Sequence, residues 1–213
     1  MGKQGLLEIW TSKAKILSEE VDPQTKDTIL RAEVKWQQAG IINNNGRRYS
    51  RKILEREIKR LEPALKEGSV YGASYHPQGG DAQVDDISHL WESVRMEKDG
   101  SCLGVIQVLP TERGKNAQVL LKAGGKIGIS SRGYGTVTAK TEEVEGRTVK
   151  VDEVNEDYQM VSPGDLVLSA SVPGAGVRRM LEAKMKTEDV QAAKDESWTR
   201  YQEAILAGQR GKS

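Results

Sequence analysis

At 213 residues the chain is long enough for one domain with a real core plus an extension. Its 32 basic and 31 acidic residues give a net charge of +1, without the strong basic bias of a dedicated nucleic-acid binder. One cysteine, Cys102, excludes an internal disulfide and a cysteine-based zinc cluster, and no run approaches the roughly 18 apolar residues of a membrane span.

Hydrophobic residues make up 37% and phenylalanine is absent, so the core has to come from Ile, Leu, Val and the few Trp and Tyr. The first residues lead into no apolar signal region, and the chain reads as soluble and intracellular. Residues 6–16 mix apolar and polar types without clear periodicity. Residues 30–36 alternate cleanly, which predicts a strand with Leu30, Ala32, Val34 and Trp36 inward. Residues 39–49 carry a long turn signal around Asn45-Gly46. A helix follows, capped by Ser50, with Tyr49 stapled onto Leu54 and an apolar stripe of Ile53, Leu54, Ile58, Leu61 and Leu65. Pro63 is expected to kink it or end its regular part near Glu62.

Next come residues 70–77 and a polar, glycine-rich loop to Asp86. Residues 87–96 and 101–109 predict paired strands joined through Lys98-Asp99-Gly100. A short helix over 115–123 is expected to carry Val119, Leu120 and Ala123 on one side and to stop at Gly124-Gly125. Residues 134–139 and 147–151 suggest another hairpin. Residues 158–161 and 166–171 read as two short strands around the turn Ser162-Pro163-Gly164-Asp165. The partition is one mixed domain, residues 1–175, followed by a charged helical C-terminal tail, residues 176–213.

The stretch Gly128-Ile129-Ser130-Ser131-Arg132-Gly133-Tyr134-Gly135 organises the rest. If it is extended, Ile127, Ile129 and Ser131 share one face and Gly128, Ser130 and Arg132 the other. The isoleucines claim the core, which leaves Ser130 facing outward with Arg132 beside it. Acyl transfer needs such a serine, and an ordinary Ser-rich turn also looks this way. Gly133 and Gly135 are expected to permit turns.

A histidine base has two candidates, His76 and His89. His89 sits mid-strand, where a structural role bonded to a neighbour is the simpler reading. His76 stands at a strand end before a loop, the kind of place where a rigid scaffold displays reactive groups. Cys102 reads as a small buried apolar residue rather than a nucleophile. Asp81, Asp85 and Asp86 lack an EF-hand pattern, and no Walker loop is present. Arg47, Arg48, Arg51 and Lys52 read as a solvated basic patch at a helix start.

Taken together, Asn45-Gly46-Arg47-Arg48-Tyr49, Tyr75-His76-Pro77, Ser88-His89, the Ser130 stretch and Asp165-Leu166-Val167 resemble the prohead maturation proteases of T-even-type tailed phages. That family is similar in fold to the herpesvirus assemblins. The resemblance implies an α+β fold with a mostly antiparallel, β-barrel-like core and flanking helices. It implies a serine endopeptidase that enters the prohead in the host cytoplasm, cleaves scaffold and capsid precursors, and cleaves itself. By motif the nucleophile falls on Ser130, the base on His76 and the third member on Asp165. Assemblins use a second histidine placed after the serine; none follows Ser130 here, so His89 is the alternative. Backbone N–H groups of Ser131, Arg132 and Gly133 are the natural oxyanion donors, with help from the Arg132 side chain.

No metal or organic cofactor is implied, nor a nucleic-acid or membrane partner; the precursor proteins are the partners, and self-association is allowed. The family's preference for cuts after glutamate and before a small residue marks Glu182-Ala183 and Glu203-Ala204. The competing class is a catalytically inactive scaffold component of the same fold.

Overall fold

A computed structural model describes residues 3–168, apart from residues 13, 77–81, 126 and 145. In chain order the described elements are β1 (Gln4–Ser12), β2 (Lys15–Val21), β3 (Thr28–Gln38), β4 (Arg47–Arg48), α1 (Arg51–Lys66) and β5 (Tyr71–Ala73). They continue through β6 (Ile87–Met96), β7 (Ser101–Val108), α2 (Glu112–Lys122), β8 (Ile127–Gly135), β9 (Val137–Val144), β10 (Arg147–Val154) and β11 (Gln159–Leu168). The protein is mostly β with two helices among the described residues. The expected tail lies outside them.

The strands form three sheets, in the orders β1-β8-β11, β4-β10-β9 and β2-β3-β7-β6-β5. Every pairing between named strands is antiparallel except β4 with β10. The barrel-like closure expected from the sequence is not seen among the described residues; an isolated bridge, Ser74 to Leu166, links β11 to the end of β5.

Single-face burial produced the elements that the sequence announced. Leu30, Ala32, Val34 and Trp36 of β3 all point into the core. The β6–β7 hairpin turns at Gly100, whose φ of +86° suits glycine. Ser50 caps α1 by accepting the Ile53 N–H at 3.3 Å. Pro63 does not end that helix, which runs on to Lys66. The Pro63 ring brings no N–H, so the Lys59 carbonyl loses its helix donor, but the helix continues and the next residue, Ala64, is fully buried.

Helix α1 also covers the outer edge of β11 with side chains in place of another strand. Glu57, itself buried, accepts the Met160 N–H at 2.8 Å. Arg56 donates to the Glu156 carbonyl at 2.5 Å and to the Tyr158 carbonyl, and Arg60 donates to the Met160 carbonyl. Backbone groups on a sheet edge are thereby satisfied without a neighbour strand.

Four expectations change. Within the stretch 6–16, which shows no clear periodicity, the chain up to Ser12 belongs to β1 along the flank of β8, and Leu6, Leu7 and Glu8 are buried in succession. Helix α2 starts earlier, with Thr111 as its cap, and buries Gly114, Ala117, Gln118 and Leu121 while Val119 and Leu120 are exposed. Residues 162–165 are not a turn between two strands but irregularities within the single strand β11. Gly133 and Gly135 make no turn either; both lie in β8, and a Cβ at Gly133 would stand 2.5 Å from the Tyr158 ring.

Candidate active site

Strand β8 is the middle strand of its sheet, and all nine of its residues are buried. The alternation expected from the sequence is kept, but Ser130 does not face solvent. It is fully buried, because both faces of β8 are covered by packed elements. Its cross-strand neighbours are Ile9 on β1 and Asp165 on β11.

His76 arrives from the five-stranded sheet. After β5 the Tyr75 N–H bonds to the Leu166 carbonyl at 2.9 Å, tying this segment alongside β11. Tyr75 then takes a φ of +70°, a left-handed conformation uncommon for a tyrosine. That bend delivers the His76 ring between Ser130 and Asp165. Its Nδ1 lies 3.0 Å from Asp165 Oδ2 and its Nε2 lies 2.7 Å from Ser130 Oγ. Three residues from β8, the end of β5 and β11 thus meet in one hydrogen-bonded line.

The Asp165 carboxylate is fully buried and used on both oxygens. Oδ1 accepts the Ala73 N–H at 3.0 Å, and Oδ2 faces both His76 and the Arg132 Nε, the latter at 2.7 Å. Burial pushes its pKa up, but the Arg132 charge, His76 and the Ala73 N–H outweigh burial and hold it below the ordinary carboxylate value. An ionised carboxylate only accepts, so His76 Nδ1–H donates to it. Nε2 is then the acceptor, and the Ser130 hydroxyl donates to Nε2. The Arg132 side chain, expected to help an oxyanion or a substrate, is paired with Asp165 instead.

His89 is elsewhere in the network. Its Nδ1 accepts from Ser88 Oγ at 2.9 Å and its Nε2–H donates to the Gly164 carbonyl at 3.2 Å, so its partners are not His76. Burial lowers its pKa to about 4, against the opposing pull of the Asp165 charge and the Gly164 carbonyl. Trp91 Nε1–H donates to the same carbonyl at 3.1 Å. Cys102 is buried, and burial pushes its thiol up to about 12, which suits the packing role read from the sequence. Asp86 Oδ2 accepts the Gln83 N–H at 3.1 Å, while Asp81 lies outside the described residues.

The Asn-Gly-Arg-Arg-Tyr motif is a clamp rather than a solvated patch. Buried Glu8 sits opposite Ser131 across the β1–β8 ladder. Its Oε2 accepts from the Asn43 and Asn45 amides at 2.6 and 2.7 Å, and its Oε1 accepts from Arg47 at 3.1 Å and the Tyr49 hydroxyl at 3.0 Å. Arg48 pairs with Glu142 and Glu153 at the β9–β10 hairpin. Sequence patterning missed Glu8, since a lone glutamate in an unpatterned segment carries no signal. It also missed the left-handed Tyr75, since a tyrosine carries no signal for a conformation that glycine and asparagine favour.

Ser130, His76 and Asp165 thus stand in the hydrogen-bonding order that nucleophilic serine chemistry requires, on a mostly β scaffold. The family model for prohead core protein serine proteases matches residues 8–192, and the chain belongs to that family. It is 24% identical over 173 residues to the prohead core protein protease of Enterobacteria phage T4, covering 80% of this chain and 78% of that one. Its fold is similar to the solved structure of the bacteriophage T4 capsid assembly protease, gp21. That likeness has a TM-score of 0.66 at 22% identity, over 79% of this chain and all of that one.

Proposed function

We propose that this chain is a serine endopeptidase of prohead maturation in which Ser130 is the nucleophile, His76 the general base and Asp165 the residue that orients it. The observation that carries this reading is the 2.7 Å contact of Ser130 Oγ with His76 Nε2, backed by the 3.0 Å contact of His76 Nδ1 with Asp165. Ser130 Oγ attacks the scissile carbonyl carbon as its proton passes to His76 Nε2. Asp165 stabilises the imidazolium through Nδ1–H, and His76 then returns the proton to the leaving amine. Water hydrolyses the acyl-enzyme with the same base.

The tetrahedral oxyanion takes backbone N–H donors from the stretch of Ser131, Arg132 and Gly133. The β8–β11 pairing runs from Arg132 to Ser130 and skips Ser131, which keeps Glu8 as its ladder partner on β1. The substrates are capsid precursor and scaffold proteins, and the place of action is the interior of the assembling prohead in the host cell. Residues 1–175 form the protease domain and residues 176–213 a tail that carries its own cleavage sites, Glu182-Ala183 and Glu203-Ala204. Among the described residues no helix is long and apolar enough to cross a membrane. The barrel-like closure of the family fold remains part of this reading.

The test is labelling of the whole protein by a serine-directed phosphonate, followed by peptide mapping and incubation with a capsid precursor. Modification at Ser130, with cleavage lost in Ser130→Ala and His76→Ala, is expected. Modification elsewhere, or cleavage that survives Ser130→Ala, overturns the assignment. An inert scaffold component gives neither labelling nor cleavage.

A further inference from the structure

The pairing of β11 with β8 contains a shift that decides where Asp165 points. Above the site Ser162 pairs with Arg132, and a regular ladder would then set Gly164 opposite Ser130. Instead Asp165 is opposite Ser130, one residue out of step, and Leu166 and Val167 keep the new register. One extra residue therefore lies between Ser162 and Asp165. Side chains alternate along a strand, so without that residue Asp165 would turn to the other face, away from His76.

The extra residue is held by a set of contacts that the chemistry itself does not use. Ser162 Oγ accepts the Gly164 N–H at 3.1 Å, and Pro163 brings no N–H to the ladder. Gly164 is pressed against β8, where an added Cβ would stand 2.2 Å from Ile129 Cγ2. Its carbonyl takes two donors from β6, His89 Nε2–H at 3.2 Å and Trp91 Nε1–H at 3.1 Å. Ser88 fixes the His89 tautomer through Nδ1, and the His89 and Trp91 rings meet edge to face at 5.7 Å. His89, Trp91 and Ser88 are buried.

We propose that His89 is a positioning residue for the reaction: with Trp91 it clamps the Gly164 carbonyl, and this clamp holds the bulge that turns Asp165 toward His76. The proposal rests on the reading of Asp165 as the residue that orients the base. It gives the second histidine a role distinct from membership of the triad.

The test uses the full chain with three substitutions. His89→Leu keeps the volume and removes the donor. His89→Gln places an amide N–H near the Nε2 position and restores the donor. Trp91→Phe keeps an aromatic ring and removes the second donor. His89→Leu is expected to lower kcat about 10- to 100-fold with KM little changed, the penalty of a displaced catalytic group. Trp91→Phe is expected to lower it less, and His89→Gln to hold kcat within about three-fold of the unaltered protein.

A readout independent of proteolysis is the proton on His76 Nδ1, followed by NMR in a Ser130→Ala background. Its resonance should move in His89→Leu and stay in place in His89→Gln. If His89→Leu does not fold, Trp91→Phe gives the same test at the same carbonyl. Equal kcat in the Leu and Gln variants, or an unmoved resonance in both His89→Leu and Trp91→Phe, overturns the clamp. Proteolysis that survives Ser130→Ala sinks the triad instead, while the resonance still judges the clamp.

Discussion

Asp165 stands directly opposite Ser130 across the β8–β11 ladder, and His76, brought in beside β11 from the five-stranded sheet, bridges their side chains. Two residues that neighbour each other across a ladder thus communicate through a third from another sheet. The arrangement separates the two serines of the pair sharply. Ser130 Oγ is hydrogen-bonded to His76, whereas the buried Ser131 Oγ on the opposite face has no hydrogen-bond partner among the described residues.

The first prediction follows from that contrast. Ser130→Ala should lower kcat by a factor of about 10⁴ or more while changing stability by only about 1 kcal/mol. Ser131→Ala should retain substantial activity and be neutral or stabilising, because it removes a buried hydroxyl that lacks a partner. Cleavage assays paired with urea unfolding of both variants check this. Loss of activity in Ser131→Ala alone would reverse the assignment.

A second prediction concerns Arg132. It faces the buried Asp165 at 2.7 Å, and its charge is the foremost influence opposing burial at that carboxylate. Arg132→Met should therefore destabilise the protein by about 3–5 kcal/mol, as expected when one partner of a buried ion pair is removed. Asp165→Asn strips the charge from the other side of the same buried pair and should cost stability as well; it should also lower kcat by about 10⁴, since the amide no longer specifies the His76 tautomer. If Arg132→Met is as stable as the unaltered protein, the pair is not the anchor of the site.

The parts of this fold legible in the sequence are those buried on one side only. β3 alternates because one of its faces packs on the core, and α1 shows its stripe for the same reason. β8 is buried on both faces, so alternation says which of its residues share a side but not which side sees solvent. That is why the pattern gives the neighbours of Ser130 but not its burial. The Ser162-Pro163-Gly164 run looks like a turn because a bulge uses the same residue types: a side-chain acceptor, a missing donor and a missing Cβ. In α2 the buried face contains Gly114 and Gln118 while Val119 and Leu120 face out, so the apolar residues on one side of this helix do not mark the face that packs. The His-Pro and Ser-Ser-Arg-Gly motifs named the residues that meet. Their meeting depends on the left-handed Tyr75 and on the register shift, neither of which is written in residue type.

The third prediction tests the Asn-Gly-Arg-Arg-Tyr motif as a clamp. Glu8 gathers four side-chain donors from residues 43–49 against β1. Glu8→Ala removes the ion-pair partner of buried Arg47 together with the acceptor for Asn43, Asn45 and Tyr49, and should cost about 3–5 kcal/mol. Glu8→Gln retains shape and one acceptor oxygen and should cost less. Urea midpoints of the two variants decide it; equal and negligible effects would mean that the motif holds the fold without Glu8.

The last prediction is a dependence of stability on pH that belongs to His89. In the unfolded chain a histidine takes up its proton near the reference value of about 6.5. In the folded protein burial lowers the His89 value to about 4. Above about 6.5 both states hold it neutral, and it adds no pH dependence. Between about 6.5 and 4 the unfolded state binds a proton that the native state refuses, so stability falls as the pH falls through this window. The full effect is roughly 3 kcal/mol once the lower end is reached. Asp165 acts in a separate window: its depressed native value gives stability present above the unfolded value of about 3.8, lost only as the pH drops further. Urea unfolding at pH 7, 5.5 and 4.5 should therefore show a steeper loss in the unaltered protein than in His89→Gln, which has no proton to gain at that position. Stability curves that run parallel across this range would mean that His89 does not resist protonation in the folded state.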